Sequence, residues 1–216
     1  NDLVLDEEGA IYIAEKRAVT CLANDGTFKW RTGRSASESS YGNSGSGDGE
    51  FNLAFGITIG QDGNLYVADR SNHRVQVLDK NGSFIRKFGE YGSAPGQLNP
   101  PLDIASLPDG RIVVSDASYL HYFQPNGTFL KRDNFKQNNY DSGPRHVSVG
   151  SDGTIFSRRR LFDSEGRGIS FVDIYSDDSR TCFTPEGDLI ESYNGKLRLW
   201  KRAFRTKGLP ERNIIA

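Results

Sequence analysis

The chain has 216 residues, of which 36% are hydrophobic and 11% aromatic, and its formal net charge is −1. This length and apolar content predict one globular domain with a substantial core. Its longest apolar runs have four or five residues, far fewer than the roughly 20 that cross a bilayer, so we expect no membrane-spanning segment. A charge near zero excludes a global attraction to nucleic acid or anionic lipid, and any charged interface has to be local.

The first unit, residues 1–33, shows the pattern that the rest of the chain repeats. Glu8-Gly9 marks a hairpin turn, and the run that follows it at 10–14 (AIYIA) has the β-branched and aromatic residues typical of a short strand. A second turn glycine, Gly26, has an apolar residue four positions before it and Phe28 two positions after it. The unit is therefore predicted to contain four strands joined by two tight turns and one polar loop.

A Gly/Ser-rich stretch at 34–50 comes next, and because it cannot pack a core we predict a flexible connection there. The two-turn pattern then returns in residues 51–92, 98–133 and 144–195. The first turn glycines of these units are Gly63, Gly110 and Gly153, and the second are Gly82, Gly127 and Gly187. In the last unit the two glycines are 34 residues apart, against 17 to 19 elsewhere, so residues near 161–177 are predicted to be an insertion.

Residues 196–216 alternate apolar and basic side chains at first, which predicts an edge strand followed by a linker-like tail. Successive first-turn glycines are separated by 54, 47 and 43 residues, close to the roughly 40 to 50 residues of one propeller blade. No window shows the sustained apolar spacing of a long helix. The sequence therefore predicts an all-β fold, a β-propeller with four blades of four strands each.

Residues 49–89 resemble the NHL repeat. The match is carried by Gly49, Phe51, Asp62-Gly63, residues 66–69 (YVAD), residues 72–75 (NHRV) and Gly82. The third unit shares fewer of these residues, and the first and fourth share the turns and the strand pattern. The resemblance implies a propeller, commonly of six blades. Because four units are visible and Asn1 leads directly into a predicted strand, we expect a partial or open propeller that belongs to a larger ring.

The loops between the second and third strands of the units gather on one face of a propeller, and here they are rich in basic residues. The candidate ligand-binding residues are Lys16, Arg17, Arg70, His73, Arg74, Tyr119, Arg145, Arg158, Arg159 and Arg160. Some NHL propellers resemble this chain in having a basic face that holds single-stranded RNA, which requires aromatic side chains beside the arginines. The alternative interpretation is a solvated surface with scattered charge.

Asp69 and Arg74 are predicted to form a structural ion pair that braces this loop in the second unit. The spacing of His73, His121 and His146 does not match a zinc motif. A zinc or calcium site at the propeller axis would need His146, at the start of an inner strand, to face the channel beside acidic partners. The sequence contains no nucleophile elbow and no phosphate-binding loop, so no catalytic residue is identified.

These observations favour a non-catalytic binding or scaffolding module, without a cofactor, that presents a propeller face to a protein or another extended ligand. One alternative is an RNA-binding propeller, which predicts a contiguous basic patch and steep salt dependence. The other is a metal-dependent propeller lyase or hydrolase, which predicts a His or carboxylate cluster at the axis. The Gly/Ser/Asn-rich surface favours an extracellular or cell-surface location, and the sequence leaves the ligand and the oligomeric state open.

Overall fold

The computed structural model describes residues 2–33, 45–134, 146–158, 160–171, 180–184, 186–193, 196–201 and 212–215. These residues form twenty strands in five separate four-stranded antiparallel sheets. Among them the helical element is a single 3-10 turn, Arg70–Asn72. No helix in this part of the chain has the length and hydropathy needed to cross a membrane.

Each sheet is made of four strands that are consecutive in the chain, as in a propeller blade. Blade 1 contains β1 (Asp2–Leu5), β2 (Ile11–Ala14), β3 (Ala18–Leu22) and β4 (Phe28–Gly33). Blade 2 contains β5 (Ala54–Ile59), β6 (Leu65–Asp69), β7 (Arg74–Leu78) and β8 (Phe84–Phe88). Blade 3 contains β9 (Asp103–Ser106), β10 (Ile112–Ser115), β11 (Tyr119–Phe123) and β12 (Phe129–Asn134). Blade 4 contains β13 (Ser148–Val149), β14 (Ile155–Ser157), β15 (Arg160–Phe162) and β16 (Gly168–Phe171), and blade 5 contains β17 (Arg180–Phe183), β18 (Leu189–Tyr193), β19 (Lys196–Trp200) and β20 (Arg212–Ile215).

Short polar turns close the described hairpins. An aspartate accepts backbone hydrogen bonds at most of these turns, with Asn126 and Thr184 in its place at two, and a glycine supplies the left-handed conformation. In blade 2, Asp79 Oδ1 accepts hydrogen bonds from the N–H groups of Asn81 and Ser83, both at 2.8 Å, and Gly82 has a φ of +85°. Since the strands are antiparallel, the first-to-second and third-to-fourth turns lie at one end of every blade. We call that end the turn face, and the opposite end, with the second-to-third loops and the connections between blades, the loop face.

The hydrophobic core lies between the blades, with one buried cluster at each of the four junctions. Between blades 1 and 2, for example, Tyr12 and Val19 pack in one cluster with Ile57 and Leu65. Each blade therefore packs an apolar face against every blade that adjoins it in the chain. The first strand of each blade lies nearest the propeller axis and contacts the first strand of the next blade. Packing at the junctions fixes the loop face of one blade relative to that of the next.

The prediction of an all-β propeller is confirmed, whereas the prediction of four blades is wrong, because the chain forms five. The expected insertion near 161–177 instead contains the end of β15 and all of β16. A turn joins these two strands, and in it Gly166 N–H donates to Asp163 O at 2.8 Å. Gly187 is the first turn of blade 5, and the predicted tail at 196–216 supplies β19 and β20. The resemblance to the NHL repeat implied six blades, whereas the described residues form five.

Candidate functional site

The ion pair between Asp69 and Arg74 lies beneath the loop face of blade 2. Arg74 Nε donates to Asp69 Oδ2 at 2.8 Å, and the two side chains are 8% and 0% exposed. The terminal guanidinium nitrogens of Arg74 donate to backbone carbonyl oxygens of Ser46, Gly47 and Glu50 at 2.8 to 2.9 Å. The pair therefore fastens the chain that enters blade 2, and Arg74 is not available to a ligand on the surface.

The segment predicted as a flexible connection, 34–50, ends in this network. Its residues 34–44 lie outside the described residues. Gly49 N–H donates to Gln76 Oε1 at 2.9 Å, and Gln76 Nε2 donates to Glu50 O at 2.6 Å and to Asp69 Oδ2 at 3.2 Å. Burial raises the pKa of Asp69 above its ordinary value, although hydrogen bonds from Asn72, Asn52 and Arg74 act to lower it. The carboxylate therefore depends on these donors to stay charged.

Blade 3 has a different buried pair of polar side chains at the position that the ion pair of Asp69 and Arg74 occupies in blade 2. The strand registers make Asp116 equivalent to Asp69, and Tyr119 equivalent to Arg74. The partner of Asp116 is instead His121, whose Nε2 lies 2.9 Å from Asp116 Oδ2, with the side chains 0% and 3% exposed. Because tyrosine replaces the arginine, the loop face of blade 3 gains an aromatic ring where blade 2 has a buried guanidinium.

Asp116 should make the protein sensitive to acid. Burial alone would raise the pKa of Asp116, but the hydrogen bond and charge of His121 and the N–H groups of Ser118 and Tyr119 outweigh it, and the pKa lies below its ordinary value. The folded state then binds fewer protons than the unfolded state. This stabilisation is therefore complete above the unfolded pKa of roughly 3.9 and is lost as the pH falls through the folded pKa.

Urea unfolding of the wild type and of Asp116→Asn at several pH values checks this prediction. The difference between their free energies of unfolding should shrink once the pH falls below about 4. A difference that stays constant down to a pH of about 3 would contradict the assignment of a lowered pKa to Asp116.

Aromatic and cationic side chains form a strip across the loop face of blades 2 and 3. In blade 2 the guanidinium carbon of Arg70 lies 5.5 Å from the ring centroid of Phe55. The ring of His73 meets that of Tyr91 edge-on, with their centroids 4.7 Å apart. The aromatic strip, as we call it, consists of Phe55, Arg70, His73, Tyr91, Tyr119 and Arg132.

Arg132 connects the two halves of the aromatic strip. Its guanidinium carbon lies 4.2 Å from the ring centroid of Tyr119, which places it over the face of that ring. Its Nη1 also donates to the carbonyl oxygen of Ser93 at 2.6 Å, two residues beyond Tyr91. The connection between blades 2 and 3 is thereby joined to blade 3.

This connection is ordered by its own hydrogen bonds. Leu98 N–H donates to Glu90 O at 2.9 Å, and Gln97 Nε2 donates to Glu90 Oε1 at 3.0 Å. Gln97 Oε1 accepts from Ala94 N–H at 2.9 Å. These contacts hold Tyr91, which is 67% exposed, on a preformed loop.

The described residues among those predicted for the ligand-binding face are distributed over four blades. In blade 1 Lys16 is exposed and Arg17 half-buried, and in blade 4 Arg158 and Arg160 are half-buried. Arg145 and Arg159 lie outside the described residues. The structure brings Arg70 and His73 into the aromatic strip and places Tyr119 at its other end.

The sequence analysis missed Phe55, Tyr91 and Arg132. They lie at the start of β5, in the connection between blades 2 and 3, and near the end of β12, so no common motif marks them. The signal for Tyr91 was its position between Gly89 and Gly92 in a segment that joins two repeat units, where an aromatic side chain has no core to enter.

A pocket of about 320 Å³ lies at the axis, where the innermost strands converge. All five blades contribute to its lining, with Asp2, Thr58, Asp103, Ser148 and Thr181 among the polar side chains. His146 also lines it, just before β13, with Nδ1 3.6 Å from Asp103 Oδ2. This is the placement that an axial metal site would require of His146. Within the described ranges no group of three or more His, Cys, Asp or Glu side chains could hold a metal ion.

Parts of the sequence are similar to known proteins. A family model described as NHL repeat matches residues 51–78. RING finger protein nhl-1 of Caenorhabditis elegans is 42% identical over 88 residues, which cover 41% of this chain and 9% of that protein. Protein brain tumor of Drosophila melanogaster is 31% identical over 136 residues, which cover 58% of this chain and 13% of that protein. The chain thus spans a small part of these relatives.

Solved structures show the same architecture. Virginiamycin B lyase from Staphylococcus aureus superposes with a TM-score of 0.66 over 99% of this chain and 68% of that chain, at 14% sequence identity. At this identity the likeness is one of fold and not of chemistry. Residues 51–78 are therefore an NHL repeat within a β-propeller, and the resemblance to the NHL-repeat family that the sequence indicates is confirmed.

Proposed function

We propose that this chain is a recognition module and that the aromatic strip on the loop face of blades 2 and 3 binds an extended segment of a partner protein. The observation that carries the proposal is a set of three contacts on one face, Arg70 with Phe55, His73 with the exposed Tyr91, and Arg132 with Tyr119. Tyrosine and arginine are enriched among the few residues that carry most of the binding energy at protein interfaces.

The loop in the aromatic strip is held in one conformation before any ligand binds, which also supports the proposal. Because hydrogen bonds already hold the loop that carries Tyr91, little conformational entropy is lost when a ligand binds. Arg70 and Arg132 supply positive charge at the two ends. The strip therefore suits a peptide that has acidic residues around an aromatic or aliphatic side chain.

Selection from a random peptide library on the immobilised chain tests the proposal. Peptides with acidic residues around an apolar anchor should be enriched. Replacing Tyr91 by alanine should weaken their binding by about tenfold or more, measured by fluorescence anisotropy, because an exposed interface tyrosine is lost while the fold keeps its core. Phe28→Ala is the matched control, since Phe28 is 65% exposed but lies in blade 1 beside a turn-face hairpin. Equal affinity in the wild type and Tyr91→Ala would refute the proposal.

Single-stranded RNA is the second candidate ligand, because arginines beside exposed aromatic rings are also what bases stack on. We favour protein since the strip has two described cations, Arg70 and Arg132. Two phosphate contacts would give a weak salt dependence, with a slope of roughly −0.7 per contact. Binding to random RNA that falls steeply with salt, and that is lost in Tyr91→Ala, would favour RNA instead.

A further inference from the structure

The pocket at the propeller axis has the size of a small-molecule site. Its volume of about 320 Å³ is within the range of roughly 300 to 1,000 Å³ that such sites have. Most of its lining comes from β5, from β9 and from residues 146–149, which belong to blades 2, 3 and 4. Each of these blades packs against a blade on either side within the chain. This part of the pocket is therefore fixed by internal junctions.

Asp103 contributes a carboxylate to the lining of the pocket. Its side chain is 12% exposed. Oδ1 accepts a hydrogen bond from the N–H of Ile104 at 2.9 Å, and Oδ2 accepts one from the N–H of Val147 at 2.8 Å. Because a carboxylate oxygen has two lone pairs, each oxygen of Asp103 can accept one further hydrogen bond.

This carboxylate has no strong cationic partner within the part of the chain that the structure describes. Its closest ionisable contact there is Nδ1 of His146, 3.6 Å from Oδ2, which is longer than a hydrogen bond. The buried carboxylate of Asp69, by contrast, has Arg74 Nε at 2.8 Å. Buried charges in proteins are normally paired, so Asp103 leaves a place for a cationic group of a ligand.

The remainder of the lining suits a compound with an aliphatic body. Thr58 and Ser106 supply hydroxyl groups, and Val147 and Val149 supply apolar surface. The described lining residues include neither lysine nor arginine. Protonated amines form charge-assisted hydrogen bonds with carboxylates, whereas Asp103 would repel an anion.

We propose that the axial pocket binds a small organic ammonium compound, with its ammonium group against Asp103 and its aliphatic part along the walls. Among the described residues no three side chains come together that could hold a metal ion, so the assignment is to an organic cation. The pocket is separate from the aromatic strip, and this proposal does not depend on the function proposed for the strip.

Isothermal titration calorimetry with three four-carbon compounds tests the proposal. In an amine-free buffer near neutral pH, 1,4-diaminobutane should bind at least about tenfold more tightly than 1,4-butanediol, because the ammonium group gains a charged acceptor. Succinate, with the same carbon chain and the opposite charge, should not bind. Equal affinities for the three compounds, or no binding of 1,4-diaminobutane, would overturn the proposal. Tighter binding of calcium or magnesium chloride would identify a metal site and overturn it as well.

Two variants locate the binding. Asp103→Asn removes the charge and should weaken binding of 1,4-diaminobutane by about tenfold or more. Because Asp103 also accepts backbone hydrogen bonds, the second variant leaves it intact. In Thr58→Lys the introduced ammonium group should occupy the pocket and abolish binding, with the melting temperature retained because Thr58 is half-buried beside the pocket. Ser83→Lys is the matched control, since it adds the same charge at an exposed turn of blade 2. Unchanged binding in Thr58→Lys would refute this location.

Discussion

Replacing Asp69 by alanine should lower the free energy of unfolding by about 3–5 kcal/mol. The substitution leaves the guanidinium of Arg74, which is 8% exposed, buried without its counter-charge. It also removes the acceptor of the N–H of Asn52 and of the side-chain amide of Asn72. Urea unfolding monitored by tryptophan fluorescence measures the change.

The exposed ion pair between Lys87 and Asp48 is the control for this prediction. The two side chains are 47% and 54% exposed with the charged atoms 2.7 Å apart, so Asp48→Ala should cost less than about 1 kcal/mol. Replacing Arg74 together with Asp69 by apolar residues should recover part of the loss, because no charge then stays buried alone. A cost for Asp69→Ala as small as that for Asp48→Ala would show that the buried network does not brace blade 2.

Replacing Phe123 by alanine should also lower the free energy of unfolding by about 3–5 kcal/mol. Phe123 is 1% exposed at the junction of blades 2 and 3, and its ring centroid lies 4.8 Å from that of Phe88 and 5.7 Å from that of Phe129. Truncation would leave a cavity that these rings cannot close. Urea unfolding of purified protein again gives the value.

Leu130→Ala is the comparison for Phe123→Ala. Leu130 lies on β12 and is 40% exposed, so its loss should change the free energy of unfolding by about 0.5 kcal/mol or less. If the two variants were equally stable, the core would not lie between the blades as described.

The repeat pattern predicted the strands and turns well because each hairpin needs a glycine in the left-handed conformation. It failed at the boundary of blades 4 and 5. Gly166 is the second turn of blade 4, but Gly168 stands two positions after it where the other units have phenylalanine or leucine. Gly187 has the expected neighbours, so it was assigned to blade 4 although it closes the first hairpin of blade 5.

The candidate site was harder to predict because it combines residues from different elements. Arg74 was predicted both for the basic face and for an ion pair with Asp69, and the structure shows the pair, with the Arg74 side chain 8% exposed. Tyr91 meets His73 from the connection between blades 2 and 3, and Arg132 joins that connection to Tyr119. Contacts of that kind depend on how blades sit side by side, which strand periodicity does not encode.

The extracellular or cell-surface location stays a prediction.

Hydrogen–deuterium exchange of the chain with and without a selected peptide tests the central claim most directly. If the aromatic strip is the binding surface, the peptide should slow exchange of backbone amides at 70–73, 90–98 and 117–119, with the hairpin turns around Gly63, Gly82 and Gly110 unchanged. Slower exchange confined to those turns, or to blades 1 and 4, would place binding elsewhere and contradict the account.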